Sequence, residues 1–138
     1  IDVGLLRSQS KLSYRAFTEG DRLFKEFKGA LSENFVLQSL IRIYGSNPHY
    51  WANDKYEVDF IVQSSNDIIP IEVKSGKNVS SPSMLEYKKM YEGETPLIVR
   101  YSLKNLTLDG NVLNIPIFMI DQTECLISLA KAEIKQQK

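Results

Sequence analysis

The chain is poor in the residues that most often build disulfides, zinc sites and His-based catalysis. It has one cysteine, one histidine and no net charge in 138 residues. Cys125 has no partner for an internal disulfide and lies in an apolar run, so we expect it to be a small buried side chain. His49 has no partner at metal-ligand spacing, so we expect it at the surface, and neither a zinc site nor a Ser/His/Asp triad is indicated.

Three further absences limit the class of protein. The sequence contains no run of about 18 apolar residues and no signal-peptide pattern, so we expect a cytoplasmic domain with no membrane span and no membrane partner. No Gly-x-x-x-x-Gly-Lys motif is present, so this chain is not expected to hydrolyse ATP through a P-loop. The 17 basic and 17 acidic residues balance, which argues against attachment to nucleic acid by bulk charge.

Length and helix signals predict one domain over residues 1–138. Residues 1–28 are interpreted as a helical lead-in that ends at Gly29. A clearer helix is predicted from about Ala30 to Tyr44, with Ser32 as its N-cap and Gly45 just past its end. The chain starts with Ile rather than Met, and we therefore expect it to be a piece of a longer protein.

The remainder alternates between strand and helix patterns. The predicted strands are 49–51, 56–63, 68–74, 95–101 and 112–120, the last broken or bent at Pro116, and the predicted helices are 83–91 and 123–135. This order predicts an α/β fold with a mixed central β-sheet flanked by helices.

Two of the strands form a predicted hairpin that carries acidic and basic side chains. If the turn is centred on residues 65–66, Asp59 lies opposite Glu72 and Glu57 lies opposite Lys74. With strict alternation, Glu57, Asp59 and Ile61 share one face of their strand. Directly opposed carboxylates repel each other, and a divalent cation such as Mg²⁺ would offset that repulsion.

The predicted helix adds a third carboxylate. At about 100° per residue, Glu33 falls in the middle of the apolar stripe that includes Leu37 and Leu40. A buried, unpaired carboxylate is costly, so a cation at that end of the helix would explain its position. The sequence therefore predicts a metal site formed by Glu33, Asp59 and Glu72.

A purely structural interpretation accounts for the same residues. Glu57 and Lys74 would then be a surface cross-strand pair, and Asp59 and Glu72 would lie along a solvated edge. Glu33 would be stabilised by the helix dipole, since acidic residues favour the first turn of a helix.

At these residues the sequence resembles a known family. The matching stretches are Asp2–Leu6, Gly29–Val36, Tyr50–Trp51, Glu57–Phe60, Pro70–Lys74 and Ile115–Ile117. They resemble the C-terminal domain, of unknown function, of archaeal and bacterial AAA-type ATPases, a domain similar in fold to the PD-(D/E)xK nuclease superfamily. The resemblance implies a restriction-endonuclease-like sheet, and an N-terminal ATPase domain elsewhere in the same full-length protein.

By position in that family, Glu33 matches the acid of the first helix, Asp59 and Glu72 match the strand acids, and Lys74 matches the lysine. The leading hypothesis is a phosphodiesterase that acts on DNA and depends on Mg²⁺ or Mn²⁺. The three acids would hold the metal, and Lys74 would stabilise charge at phosphorus or orient the attacking water.

The alternative hypothesis is a catalytically inactive module of the same fold, which docks nucleic acid or a protein partner for the ATPase. For a nucleic-acid substrate or partner, the contacts would come from a local basic patch. The candidate contacts are Lys77, Lys88 and Lys89, and further cations available to such a patch are Lys74, Arg100 and Lys104.

Overall fold

The computed structural model describes residues 4, 5, 8, 22–76 and 80–136, with side chains from residue 28 onward in the first long helix. In chain order the elements are α1 (Arg22–Tyr44), β1 (His49–Ala52), β2 (Glu57–Ser64), β3 (Asp67–Lys74), α2 (Pro82–Met90), β4 (Ile98–Ser102), β5 (Thr107–Asp109), β6 (Val112–Pro116), a 3-10 helix (Ile117–Gln122) and α3 (Thr123–Gln136). No helix among these is both long and apolar enough to cross a membrane.

A six-stranded mixed sheet forms the centre of the protein, in the order β1-β2-β3-β4-β6-β5. The pairs β1–β2, β2–β3 and β5–β6 are antiparallel, whereas β3–β4 and β4–β6 are parallel. Helix α2 is the crossover between the parallel strands β3 and β4. The predicted α/β fold with a mixed central sheet and flanking helices is therefore confirmed.

Helices cover both faces of this sheet. On one face, α1 and α3 contribute buried residues such as Val36, Leu40 and Ile127 to the larger apolar cluster. On the other face, Met84 and Tyr87 of α2 form a smaller cluster with strand residues. The larger cluster takes Ile69, Ile71, Val73, Val99, Tyr101, Leu113 and Ile115 from β3, β4 and β6. Alternation along each strand then directs the intervening residues of β3, β4 and β6 toward the face that α2 covers.

The β2–β3 hairpin has the predicted register. Phe60 pairs with Ile71, and the pairing continues down to Ser64 and Asp67 on either side of a two-residue turn. Ser65 in that turn has a φ of 56°, the left-handed conformation that short hairpin turns require. Register and turn together determine which residues of β2 and β3 meet beyond Phe60.

Strand β2 carries a bulge that strict alternation did not predict. His49 of β1 pairs with Ile61 and Trp51 pairs with Val58, so a step of two residues on β1 matches a step of three residues on β2. The extra residue lies at Asp59–Phe60, and a bulge changes the face to which the preceding residues point. Val58 and Ile61 accordingly pack on the α2 side. Strict alternation is therefore wrong across the bulge, because it put Val58 and Ile61 on opposite faces of the strand and they share one.

The first long helix also differs from the prediction. It runs unbroken through Gly29, and the Ser32 hydroxyl donates to the carbonyl of Lys28 within the helix instead of capping an end. Glycine costs only about 1 kcal/mol in a helix interior, a cost that burial of the helix's apolar side offsets. The end is as predicted, since Gly45 has a φ of 69° and its N–H donates to the carbonyl of Ile41.

Much of the predicted lead-in, residues 1–28, lies outside the described residues. Within it, Gly4, Leu5 and Ser8 are helical, and the stretch from residue 22 belongs to α1.

The last third of the chain follows the prediction in part. The strand predicted over 112–120 is broken at Pro116, since β6 ends there and a 3-10 helix follows. Cys125 is exposed rather than buried. Helix α3 buries Thr123, Ile127 and Ala130, which lie one turn apart on one side, and Cys125 projects from another side. Strand β5, with its tight turn into β6, was not predicted.

Candidate active site

The predicted acid and lysine of β3 form an ion pair. Lys74 Nζ lies 2.6 Å from Glu72 Oε1. The two residues are two positions apart on the strand and therefore share a face, which is the face that α2 covers. Glu72 is only 4% exposed. A buried carboxylate is costly without a partner, so Lys74 compensates a charge that would otherwise destabilise the fold.

The second oxygen of Glu72 is also bound. The Ser81 hydroxyl donates to Glu72 Oε2, and Ser81 immediately precedes helix α2. The start of this crossover helix is therefore tied to the middle of the sheet through Glu72. Ser81 was missed by the sequence reasoning, although a serine followed by proline at a helix start was a usable signal.

Asp59 approaches the same strand through its carboxylate. Its Oδ2 atom accepts a hydrogen bond of 2.7 Å from the backbone N–H of Val73, the residue between Glu72 and Lys74. The paired residues of β2 and β3 end at Phe60 and Ile71, so Asp59 is not a ladder partner of Glu72. Its side chain instead accepts a hydrogen bond where the next backbone pair of the ladder would have formed. This contact links β2 to the end of β3 that carries Glu72 and Lys74.

The environment of Asp59 raises its pKa to about 6. Burial is the main cause, since it disfavours the charged form, and the negative charges of Glu33 and Glu72 act in the same direction. The hydrogen bond from Val73 and the charge of Lys74 act against the rise. The predicted residues Glu33, Asp59, Glu72 and Lys74 thus interact electrostatically around Asp59.

Glu33 joins this group from helix α1, but it is exposed. If Gly29 carried a β-carbon, that atom would lie 3.9 Å from Ser75 Oγ and 4.0 Å from Glu33 Oε1. The Glu33 carboxylate therefore lies near Ser75, just past the end of β3.

The predicted position of Glu33 in the middle of the buried stripe is wrong. The buried residues of this part of the helix are Val36, Ser39 and Leu40, which centre the stripe roughly 70° from Glu33 at 100° per residue. Within the described part of the chain, no three His, Cys, Asp or Glu side chains are grouped closely enough to hold a metal ion. A centre made of two carboxylates is what the geometry offers, with Glu33 beside it.

The lysines predicted to contact nucleic acid are in different surroundings. Lys88 lies beside the site: its ammonium donates to Asn111 Oδ1 at 2.9 Å, and both residues line a cavity of about 290 Å³ that includes Glu72. Lys89 points elsewhere and lies 3.7 Å from Glu86. Lys77 falls outside the described residues.

Arg100 of β4 is the neighbour of Glu72 across the sheet, and it lines the same cavity. The sequence showed it as a single charge within an apolar strand. Asn114 of β6 is the next residue along and was missed, although it also interrupts an apolar strand. Polar side chains on β4 and β6 therefore extend the polar surface from the Glu72–Lys74 pair across the sheet.

The residues present suit a hard divalent cation. Mg²⁺ binds oxygen ligands, typically one or two carboxylates completed by water and substrate phosphate, and Asp59 and Glu72 supply two carboxylates. The pKa of Asp59 is raised mainly by burial and further by the charges of Glu33 and Glu72, so a cation beside it would stabilise the charged form.

Comparison with known proteins gives a family and no activity. A search of curated proteins and a search of solved structures returned no match. A family model described as a domain of unknown function (DUF4143) matches residues 28–118, which is more than half of the chain and includes Glu33, Asp59, Glu72 and Lys74. The chain therefore belongs to the DUF4143 family of domains of unknown function.

Proposed function

We propose that this chain is a phosphodiesterase domain that acts on DNA and depends on Mg²⁺ or Mn²⁺, with Asp59 and Glu72 as the metal ligands. The observation that carries the proposal is the hydrogen bond that the backbone N–H of Val73 donates to the Asp59 carboxylate. It holds one carboxylate against the strand segment that presents Glu72 and Lys74, and these are the residue types that metal-assisted phosphoryl chemistry uses.

The architecture supports the same proposal. A mixed sheet with helices on both faces suits a restriction-endonuclease-like, PD-(D/E)xK type of fold. The resemblance described above assigns the site to Glu33, Asp59, Glu72 and Lys74. In this proposal the domain is cytoplasmic and works beside an N-terminal ATPase domain of the same full-length protein.

Asp59 and Glu72 would hold the ion, and Glu33 would add negative charge beside the site without being a ligand in this arrangement. When bound, the ion polarises the scissile phosphate and lowers the pKa of an attacking water. The bond from Val73 orients the Asp59 carboxylate, and the Ser81 hydroxyl orients that of Glu72. These contacts fix both ligands before substrate arrives, which reduces the reorganisation needed at the site.

Lys74 would have different roles in the metal-free and the metal-bound protein. Without a metal, its ammonium compensates Glu72 at 2.6 Å. With a cation held by Glu72, the Lys74 ammonium would no longer be needed to compensate this carboxylate and would be repelled by the added positive charge. Lys74 is only partly buried, so its ammonium can turn toward a bound phosphate and stabilise the charge that builds up there.

A second candidate is the catalytically inactive docking module. Both oxygens of Glu72 are satisfied by Lys74 and Ser81, so the protein can keep this buried charge without a metal. A module that only docks nucleic acid or a protein partner for the ATPase has no need of one.

Metal binding and cleavage together separate the two candidates. Calorimetry with Mg²⁺ and Mn²⁺ would be paired with cleavage of plasmid and single-stranded DNA, comparing the wild type with Asp59→Asn. Asp109→Asn is the matched control, because it removes the same charge in an Asp-Gly hairpin turn that tolerates Asn equally well. We expect binding and cleavage in the wild type and the control, and their loss in Asp59→Asn. No heat of binding and no cleavage in the wild type would favour the docking module.

A further inference from the structure

We propose that Arg100, Lys104, Asn105 and Thr107 form a subsite for a backbone phosphate of a nucleic-acid strand, next to the Glu72–Lys74 pair. The inference rests on the proposed function, because it names the path by which a strand would reach that site. Three observations support it: the residues that line one cavity, the register of the sheet, and the hydrogen bonds that hold one loop.

The cavity has a volume of about 450 Å³ and is lined by Arg100, Lys104, Asn105, Thr107 and Asn114. Two of these described lining residues are cations, the others are neutral and polar, and none is a carboxylate. Guanidinium and ammonium groups are the side chains that bind phosphate most strongly, and amide and hydroxyl groups add hydrogen bonds. The chain as a whole has no net charge, so this local excess of positive charge is a feature of the site.

The sheet register connects this cavity to the acid–lysine pair. Glu72 pairs with Arg100, Arg100 with Asn114, and Asn114 with Thr107. These four residues form a row across β3, β4, β6 and β5, with neighbouring strands roughly 5 Å apart. Arg100 lines both this cavity and the one that contains Glu72. A strand bound along the row would therefore pass from Lys104 over Arg100 to the Glu72–Lys74 pair.

The loop that carries Lys104 is held in place by Asn114. The Asn114 amide accepts a hydrogen bond of 2.8 Å from Ser102 Oγ and donates one of 2.8 Å to the carbonyl of Asn105. The backbone N–H of Lys104 donates to the same Ser102 oxygen at 3.1 Å. Since Ser102 and Asn114 are both buried, these bonds fix the loop backbone while the Lys104 side chain stays exposed. A fixed loop loses little conformational entropy when an anion binds.

The test measures binding without metal or cleavage. Anisotropy of a labelled 12-mer, single-stranded and as a duplex, would be followed in EDTA between 50 and 200 mM salt, for the wild type and Lys104→Ala. Each phosphate contact contributes a slope of about 0.7 to 0.9 in log affinity against log salt. We expect Lys104→Ala to lower the slope by about that amount and to weaken binding roughly five- to eightfold at 0.1 M salt.

Lys135→Ala is the matched control, because it removes the same charge from α3 on the opposite face of the sheet, and we expect it to bind as the wild type does. Melting curves show whether each variant is folded. Binding that is undetectable at 50 mM salt, or equal in Lys104→Ala and the wild type, overturns the subsite. So does inhibition by inorganic phosphate combined with affinity that does not depend on oligonucleotide length, since that pattern marks a site for free anions.

The two proposals fail separately. DNA cleavage by a wild type whose affinity is unchanged by Lys104→Ala would leave the active site standing and remove the subsite. Loss of affinity in Lys104→Ala, in a protein that neither binds metal nor cleaves DNA, would keep the subsite and favour the docking module.

Discussion

The carboxylate of Asp59 accepts a hydrogen bond from the backbone N–H of Val73, across the gap where the β2–β3 ladder ends. Val73 lies between Glu72 and Lys74, so a single bond connects the bulged strand to the strand with the ion pair. Loss of the carboxylate's charge and loss of its hydrogen-bonding oxygen are therefore separate perturbations, and two substitutions distinguish them.

Asp59→Ala should destabilise the protein in EDTA at pH 7.5, whereas Asp59→Asn should not. Alanine leaves the Val73 N–H without its partner, which we expect to cost about 1–3 kcal/mol in the free energy of unfolding. Asparagine keeps an acceptor oxygen and removes a charge that burial, Glu33 and Glu72 all disfavour, so we expect stability at or above that of the wild type. Urea unfolding measures both variants. Equal destabilisation by the two substitutions would contradict the assigned role of the Val73 bond.

Protonation of Asp59 should stabilise the metal-free protein, and this contribution should be lost as the pH rises from about 4 to about 6. The pKa of Asp59 is raised from 3.8 to about 6 in the folded chain, so its protonated form favours folding. This contribution is fully present below pH 4 and is lost as the pH rises through 6; it amounts to about 3 kcal/mol at most. Unfolding curves in EDTA from pH 4 to 8 measure it, with Asp59→Asn as the reference that lacks this step. A difference between the two proteins that does not change with pH would be the contrary result.

The hairpin register was predictable because polar turn residues 64–67 separate two apolar strands, and the turn fixes the pairing on both sides. The bulge at Asp59–Phe60 was not predictable, since it depends on how β1 pairs with β2, and β1 is only four residues long. As a result the acids of β2 and β3 were correctly identified as neighbours, but their contact was misjudged. A backbone N–H of Val73, rather than a facing carboxylate, is the direct partner of Asp59.

The position of Glu33 shows a second limit of sequence reasoning. Its helix was assumed to start at residue 30, and the apolar stripe was centred on Glu33 itself. The helix starts at Arg22, and packing against the sheet selects the side with Val36 and Leu40. Strand β5 is different, because its Asp109-Gly110 turn is a recognised hairpin signal. That signal was present in the sequence and was overlooked.

Added metal should stabilise the wild type in proportion to its occupancy. A cation that binds Asp59 and Glu72 in the folded chain alone adds RT ln(1 + [L]/Kd), which is about 1.4 kcal/mol at ten times Kd. For a domain of this size that corresponds to a rise of roughly 4–8 °C in Tm. Thermal melts at increasing Mg²⁺ or Mn²⁺ measure the rise, and EDTA should reverse it. Asp59→Asn should show no such dependence; a rise of the same size in that variant would place the metal elsewhere.

The apolar face of α1 should be a main source of stability. Leu40 is fully buried between α1 and the sheet, so Leu40→Ala should cost about 2–5 kcal/mol in the free energy of unfolding. Leu129 is mostly exposed on α3, and Leu129→Ala should change it by no more than about 0.5 kcal/mol. Urea unfolding of the two variants measures the difference, which should be large even though the substitutions are chemically identical.

Lys74→Ala should separate the stability role of the lysine from its role in cleavage. In EDTA the variant leaves Glu72 without its ion-pair partner at 2.6 Å, so we expect a marked loss of stability, because an unpaired buried charge costs several kcal/mol. A metal ion replaces the missing cation without first displacing Lys74, so calorimetry should show metal binding at least as tight as in the wild type. DNA cleavage should be lost, since the phosphate then lacks the ammonium group. Lys89→Ala is the control, because Lys89 forms only an exposed pair with Glu86 on α2. Weaker metal binding in Lys74→Ala than in Lys89→Ala would mean that the lysine supports the metal site rather than competing with it.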